Sequence, residues 1–148
     1  MIEIRHITIT SAEGKSRLSA DVVQDGEIHP LWFEVDDKYG KYLCDERSNA
    51  FVIGLLHYAM REAHDIVSDV PMTRRLYEQL TDQFLPAFSK ANGIRNVSIS
   101  VPLADELKHP DEEYRAGGGV SCGVDSLHVF AMHKDLTHGC IWNMHGTT

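Results

Sequence analysis

Cysteine, proline and basic charge are all scarce in this 148-residue chain, and each shortage narrows the class of protein it can be. Its three cysteines, Cys44, Cys122 and Cys140, are an odd number and too few for a disulfide framework, so the expected location is a reducing compartment, the cytoplasm. Five prolines and 11 glycines interrupt it, and 43% of its residues are hydrophobic against 24% charged, which excludes intrinsic disorder and fibrous repeats. Fourteen Lys and Arg face 22 Asp and Glu, and the resulting net charge of −8 repels phosphate backbones, so nucleic acid is an unfavourable partner. No apolar run approaches the ~20 residues that span a bilayer. Met1-Ile2-Glu3-Ile4-Arg5-His6 has neither an apolar core nor a small-residue cleavage site, so no export signal or membrane anchor is expected.

What is present is clear patterning. Residues 16–23 alternate, with Leu18, Ala20 and Val22 on one side and Arg17, Ser19 and Asp21 on the other, the period of a half-buried strand. Ala12-Glu13-Gly14 joins it to a β-rich run from Ile2 to Ile9. Asp25-Gly26 leads to a third run, Leu31, Phe33 and Val35, and favours a hairpin turn, so an antiparallel meander is expected at the start of the chain. The period then becomes helical through Phe51, Val52, Leu55, Leu56, Ala59, Met60 and Ala63, with Asp45 or Ser48 available as a cap. His64-Asp65-Ile66-Val67 suits a very short strand. A second helix is expected from Thr73, carrying Leu76, Leu80, Phe84 and Phe88, ended or kinked by Pro86 and stopped by Gly93. Val97, Ile99 and Val101 alternate as a further strand halted by Pro102. Residues 104–115, with Asp105, Glu106, Asp111, Glu112 and Glu113, form a solvated acidic connector. The expected organisation is an α+β N-terminal domain over 1–103, a connector over 104–115, and a new unit over 116–148.

That last unit carries the chemistry. Ala116-Gly117-Gly118-Gly119-Val120 runs through Ser121-Cys122-Gly123-Val124-Asp125-Ser126 into Leu127-His128-Val129-Phe130-Ala131-Met132, a layout of strand, tight loop and helix. At a helix N-terminus the first N–H groups lack acceptors and the dipole is positive, so a glycine loop that brings backbone close makes an anion cradle. Hydroxyls of Ser121 and Ser126 are candidate donors to it.

The order Ser-x-Gly-x-Asp-Ser resembles the pyrophosphate loop of the adenine-nucleotide alpha-hydrolase-like superfamily, the PP-loop ATP pyrophosphatases, whose motif usually reads Ser-Gly-Gly-x-Asp-Ser. Cys122 stands where the family has its first motif glycine. The resemblance implies the first βαβ unit of a parallel α/β domain, an ATP site at Ser121, Cys122, Gly123, Val124, Asp125 and Ser126, and Mg²⁺ held through the nucleotide by Asp125. It implies an enzyme that adenylates an acceptor substrate and releases pyrophosphate. The next strand is expected at Cys140-Ile141-Trp142-Asn143-Met144. Because 22 residues follow Ser126, too few for a five-stranded sheet, the chain reads as an inactive N-terminal fragment of a longer enzyme. A homodimer through an open sheet edge, or by exchange of the C-terminal segment, is expected with it.

The competing interpretation is a non-catalytic binding or assembly module whose glycine turn only joins strand to helix. Other residues invite chemistry too. Cys122 at a helix start is a candidate nucleophile. Cys122, His128, His133, His138, Cys140 and His145 crowd the C-terminal region, but no zinc-type pair spacing links them. His57 and His64, placed on the first helix, and Trp32 and Trp142 are expected to pack. Arg74 and Arg75 form a solvent-facing pair in the first turn of the second helix.

Overall fold

The computed structural model describes residues 1–107, 116–120, 123–132 and 137–141, which belong to two compact units, Met1–Leu107 and Lys108–Thr148. The architecture is mixed α+β, built on a five-stranded mixed sheet.

The meander forms as the alternation requires: β1 (Ile2–Ala12), β2 (Lys15–Gln24) and β3 (Glu27–Asp36) pair antiparallel. Both hairpin turns hold two residues at positive φ, Glu13 and Gly14 at 52° and 75°, Asp25 and Gly26 at 53° and 84°. Such turns match the twist of the strands they join, and glycine takes the second position without steric cost. A bulge divides β1. Arg5 pairs with Asp21 and Thr8 with Ser19, so three steps along β1 answer two along β2, and His6 sits at φ 51°. The extra residue lets Ile2 and Ile4 before it, and Ile7 and Ile9 after it, all reach the same core.

The chain next forms a short 3-10 turn (Asp37–Tyr42) and then α1 (Asn49–Arg61), which buries Phe51, Val52, Leu56, Ala59 and Met60. Ser48 occupies the N-cap position, but its hydroxyl donates to the Pro71 carbonyl at 3.4 Å instead of capping an amide. The helix stops before Ala63, whose φ is 56°, so His64 lies beyond it and not on it as the seven-residue spacing suggested. Crossing back, the chain enters β4 (Ile66–Ser68) parallel to β1, with Ile2 opposite Ile66.

A second crossover runs through β5 (Met72–Thr73), α2 (Arg74–Glu78), a π-helical turn (Gln79–Phe84) and α3 (Leu85–Asn92), then into β6 (Ile99–Ser100) parallel to β4. The sheet order is β3-β2-β1-β4-β6. Pro86 does not end the helix. The Leu85 N–H bonds Leu80 O, five residues back, so the missing N–H and the ring of Pro86 fall where the ladder has already widened. Gly93 stops it in the left-handed region at φ 64°. The strand expected over Val97–Val101 is confined to Ile99–Ser100. After it the chain leaves the sheet to pair Met72 with Leu103, in β7 (Leu103–Ala104). Parallel neighbours need such crossovers, and the two helical connections supply them for β4 and β6.

The second unit contains β8 (Ala116–Val120), α4 (Val124–Met132) and β9 (Thr137–Ile141), with β8 and β9 parallel from Ala116–Thr137 to Val120–Ile141. The strand expected to begin at Cys140 begins at Thr137, because the five-residue ladder of β8 sets its register. Trp142, Asn143 and Met144 lie outside the described residues. Among the described residues no helix is long and apolar enough to cross a membrane.

Candidate functional site

The loop singled out in the sequence lies between the end of β8 at Val120 and the start of α4 at Val124. Of its six candidate residues, Ser121 and Cys122 lie outside the described residues, while Gly123, Val124, Asp125 and Ser126 form the helix entrance. The Gly123 carbonyl accepts the Leu127 N–H at 3.0 Å, the first bond of the helical ladder. The same carbonyl accepts the Ser126 hydroxyl at 2.9 Å. Ser126, expected to donate to a phosphate, thus uses this proton to close the turn.

Val124 and Asp125 occupy the first two positions of the nine-residue α4, where backbone N–H groups have no acceptor within the helix and the dipole is positive. Both are solvent-exposed, Val124 by 85%. Asp125 is the acidic residue of that first turn, a favourable place for a carboxylate. The described entrance therefore offers backbone donors, a glycine without a Cβ to crowd them, and one accessible carboxylate. Such groups suit an oxyanion with a cation beside it, so the described residues are compatible with a phosphate chain and Mg²⁺.

The other residues marked in the sequence scatter. His57 makes an edge contact with Phe88, at 6.1 Å between ring centres. His64 Nδ1 lies 3.1 Å from the N-terminal nitrogen, and its Nε2 lies 3.1 Å from Gln24 Nε2. Arg74 and Arg75 face solvent as expected, at 53% and 73% side-chain exposure, and lie 4.0 Å from Asp105 and 3.5 Å from Glu106. Trp32, half exposed, carries the Arg17 guanidinium over its ring. His128 is exposed on α4, whereas His133 and His145 lie outside the described residues. Among the described residues no three His, Cys, Asp or Glu side chains gather to hold a metal ion. Arg47, which no sequence pattern marks, has a buried Nε without a hydrogen-bond partner.

No family model, curated protein or solved structure matches this chain.

Proposed function

We propose that the Ser121–Ser126 loop binds ATP through its phosphates and that the chain serves a cytoplasmic, ATP-dependent adenylating enzyme of PP-loop type. The observation that carries this proposal is the position of Gly123, Val124 and Asp125 at the mouth of α4, between two strands that run parallel. The amides of Val124 and Asp125 donate to phosphate oxygens, Gly123 admits those oxygens close to the backbone, Ser121 and Cys122 complete the cradle, and Ser126 braces it by closing the turn onto Gly123. The Asp125 carboxylate holds Mg²⁺ against the phosphates. Bound there, ATP supplies an activated α-phosphoryl group for transfer of AMP to an acceptor substrate with release of pyrophosphate. The protein's share is to position and neutralise charge.

Thermal melting with Mg²⁺ and ATP tests this, because a ligand stabilises only the state it binds. Wild-type protein should melt at a higher temperature with millimolar Mg·ATP, and Gly123→Val and Asp125→Ala should lose most of that rise while keeping their circular dichroism spectra. No rise for the wild-type chain would overturn the assignment.

A further inference from the structure

A cavity of about 540 Å³ opens in the Met1–Leu107 unit, walled by β2, β3, the segment after the 3-10 turn and the start of α1. Its volume is that of a small-molecule pocket. Phe33, Tyr42 and Leu43 supply apolar wall, and the half-buried thiol of Cys44, Arg47 and Asn49 supply the polar part.

Arg47 differs from every other described arginine. Arg5, Arg17, Arg61, Arg74, Arg75 and Arg95 each have a carboxylate oxygen within 4.0 Å, from Glu3, Glu34, Glu62, Asp105, Glu106 and Asp65. Arg47 has no such partner among the described residues, although the chain carries eight more negative than positive charges. It donates to two main-chain carbonyls, from Nη1 to Glu46 at 2.9 Å and from Nη2 to Asp105 at 3.1 Å, and its buried Nε meets no acceptor. A guanidinium has five N–H groups, so most of its donor capacity is unspent. The buried Nε lies out of a ligand's reach, so the donors left for one are the second N–H of Nη1 and the second N–H of Nη2.

The start of α1 reinforces this. The Ser48 hydroxyl is turned to Pro71, and the first turn has no acidic residue, so the positive end of this 13-residue helix is left uncompensated by its own side chains. The Asn49 amide exchanges two hydrogen bonds with Thr73, at 2.8 and 3.0 Å, which fixes this wall of the cavity. Glu106 also lines the cavity, but its carboxylate is engaged by Arg75.

We propose that this cavity binds a small organic monoanion, its carboxylate on Arg47 and its apolar body against Phe33, Tyr42 and Leu43. One guanidinium balances one negative charge and leaves the second charge of a phosphate dianion uncompensated, which disfavours it. The proposal stands independently of the nucleotide loop.

The test uses the full chain, a panel of aromatic and aliphatic carboxylates including benzoate, the neutral isostere benzamide, and inorganic phosphate. Two readouts are followed: melting temperature, and the iodoacetamide alkylation rate of Cys44 measured by peptide mapping. Carboxylates of the panel should raise the melting temperature and slow Cys44 alkylation several-fold, whereas benzamide and phosphate should do neither. Arg47→Gln, with folding confirmed by circular dichroism, should weaken the effect about tenfold or more, and Arg47→Lys should restore part of it. Failure of every carboxylate at millimolar concentration, equal action of benzoate and benzamide, or unchanged protection in Arg47→Gln would each overturn the proposal.

Discussion

Ser16 and Gly40 are locked against each other: a Cβ placed on Gly40 would stand 2.8 Å from the Ser16 Cβ and closer still to its hydroxyl. Ser16 has nowhere to go. It is 2% exposed, its Oγ donates to Asp37 Oδ1 at 2.6 Å, and the same Ser16 Oγ lies 2.8 Å from Ser11 Oγ. The 3-10 turn is thereby pinned to β2 through backbone approach that only glycine permits. Gly40→Ala should cost about 1–3 kcal/mol in urea unfolding, the usual penalty for overpacking a closed site. A variant as stable as wild type would mean that the turn is free to lift away.

The bulge at His6 makes a second test. Left-handed backbone costs a side-chain-bearing residue roughly 1–2 kcal/mol, and a β-branched side chain resists it most. Because His6 already carries part of that cost, His6→Val should destabilise by about 1 kcal/mol through its β-branch, while His6→Gly should be neutral to slightly stabilising, since the His6–Asp21 contact is exposed and contributes little. Deleting His6 should be tolerated, because Ile7 and Ile9 then fall into regular alternation with Ile2 and Ile4 and still face the core. Comparable losses for the Val and Gly variants would argue that His6 matters through its side chain.

How far these features were legible depends on the range of the interaction. The alternation of Leu18, Ala20 and Val22 and the Asp25-Gly26 dipeptide are local signals, and the meander followed from them. β4 and β6 have three and two residues, too short to carry a period, so their parallel pairing and the mixed sheet could not be read. Pro86 carried a local rule that the π turn before it overrode. At the candidate loop, glycines running into an apolar stretch announced a helix from Leu127, which the structure begins three residues earlier at Val124, and nothing local revealed that the Ser126 hydroxyl would bond Gly123. The solitude of Arg47 is legible only in three dimensions, because it consists of the absence of a carboxylate from other elements.

Asp65 ties β4 to β6 and makes stability depend on pH. Its carboxylate accepts the Ser98 N–H at 2.8 Å, with Arg95 3.9 Å away, and these hold its carboxyl below the ordinary aspartate value. The folded chain therefore releases this proton more readily than the unfolded chain. The stabilisation is present in full above the unfolded pKa of about 3.9 and drains away as pH falls through the lower folded value. Since the side chain is 39% exposed, solvent screening keeps the effect small. Asp65→Asn should be destabilised by less than about 1 kcal/mol at neutral pH and should converge on wild type in acid. A gap that stays constant across the acid limb would show that the charge of Asp65 is not what matters.

α4 presents Val124, Leu127, Val129 and Met132 to solvent at 85%, 50%, 54% and 67% exposure. Apolar side chains so exposed along one short helix favour association, and a two-stranded ladder has outer edges through which another strand can pair. The expected outcome is a homodimer in sedimentation at tens of micromolar, with Leu127→Glu and Val129→Lys shifting the population towards monomer as charge enters the apolar surface. Those two variants leave the first-turn amides at Val124 and Asp125 in place, so any rise in melting temperature with Mg·ATP should survive in them. A wild-type chain that sediments only as monomer at that concentration would remove the case for self-association while leaving the loop assignment untouched.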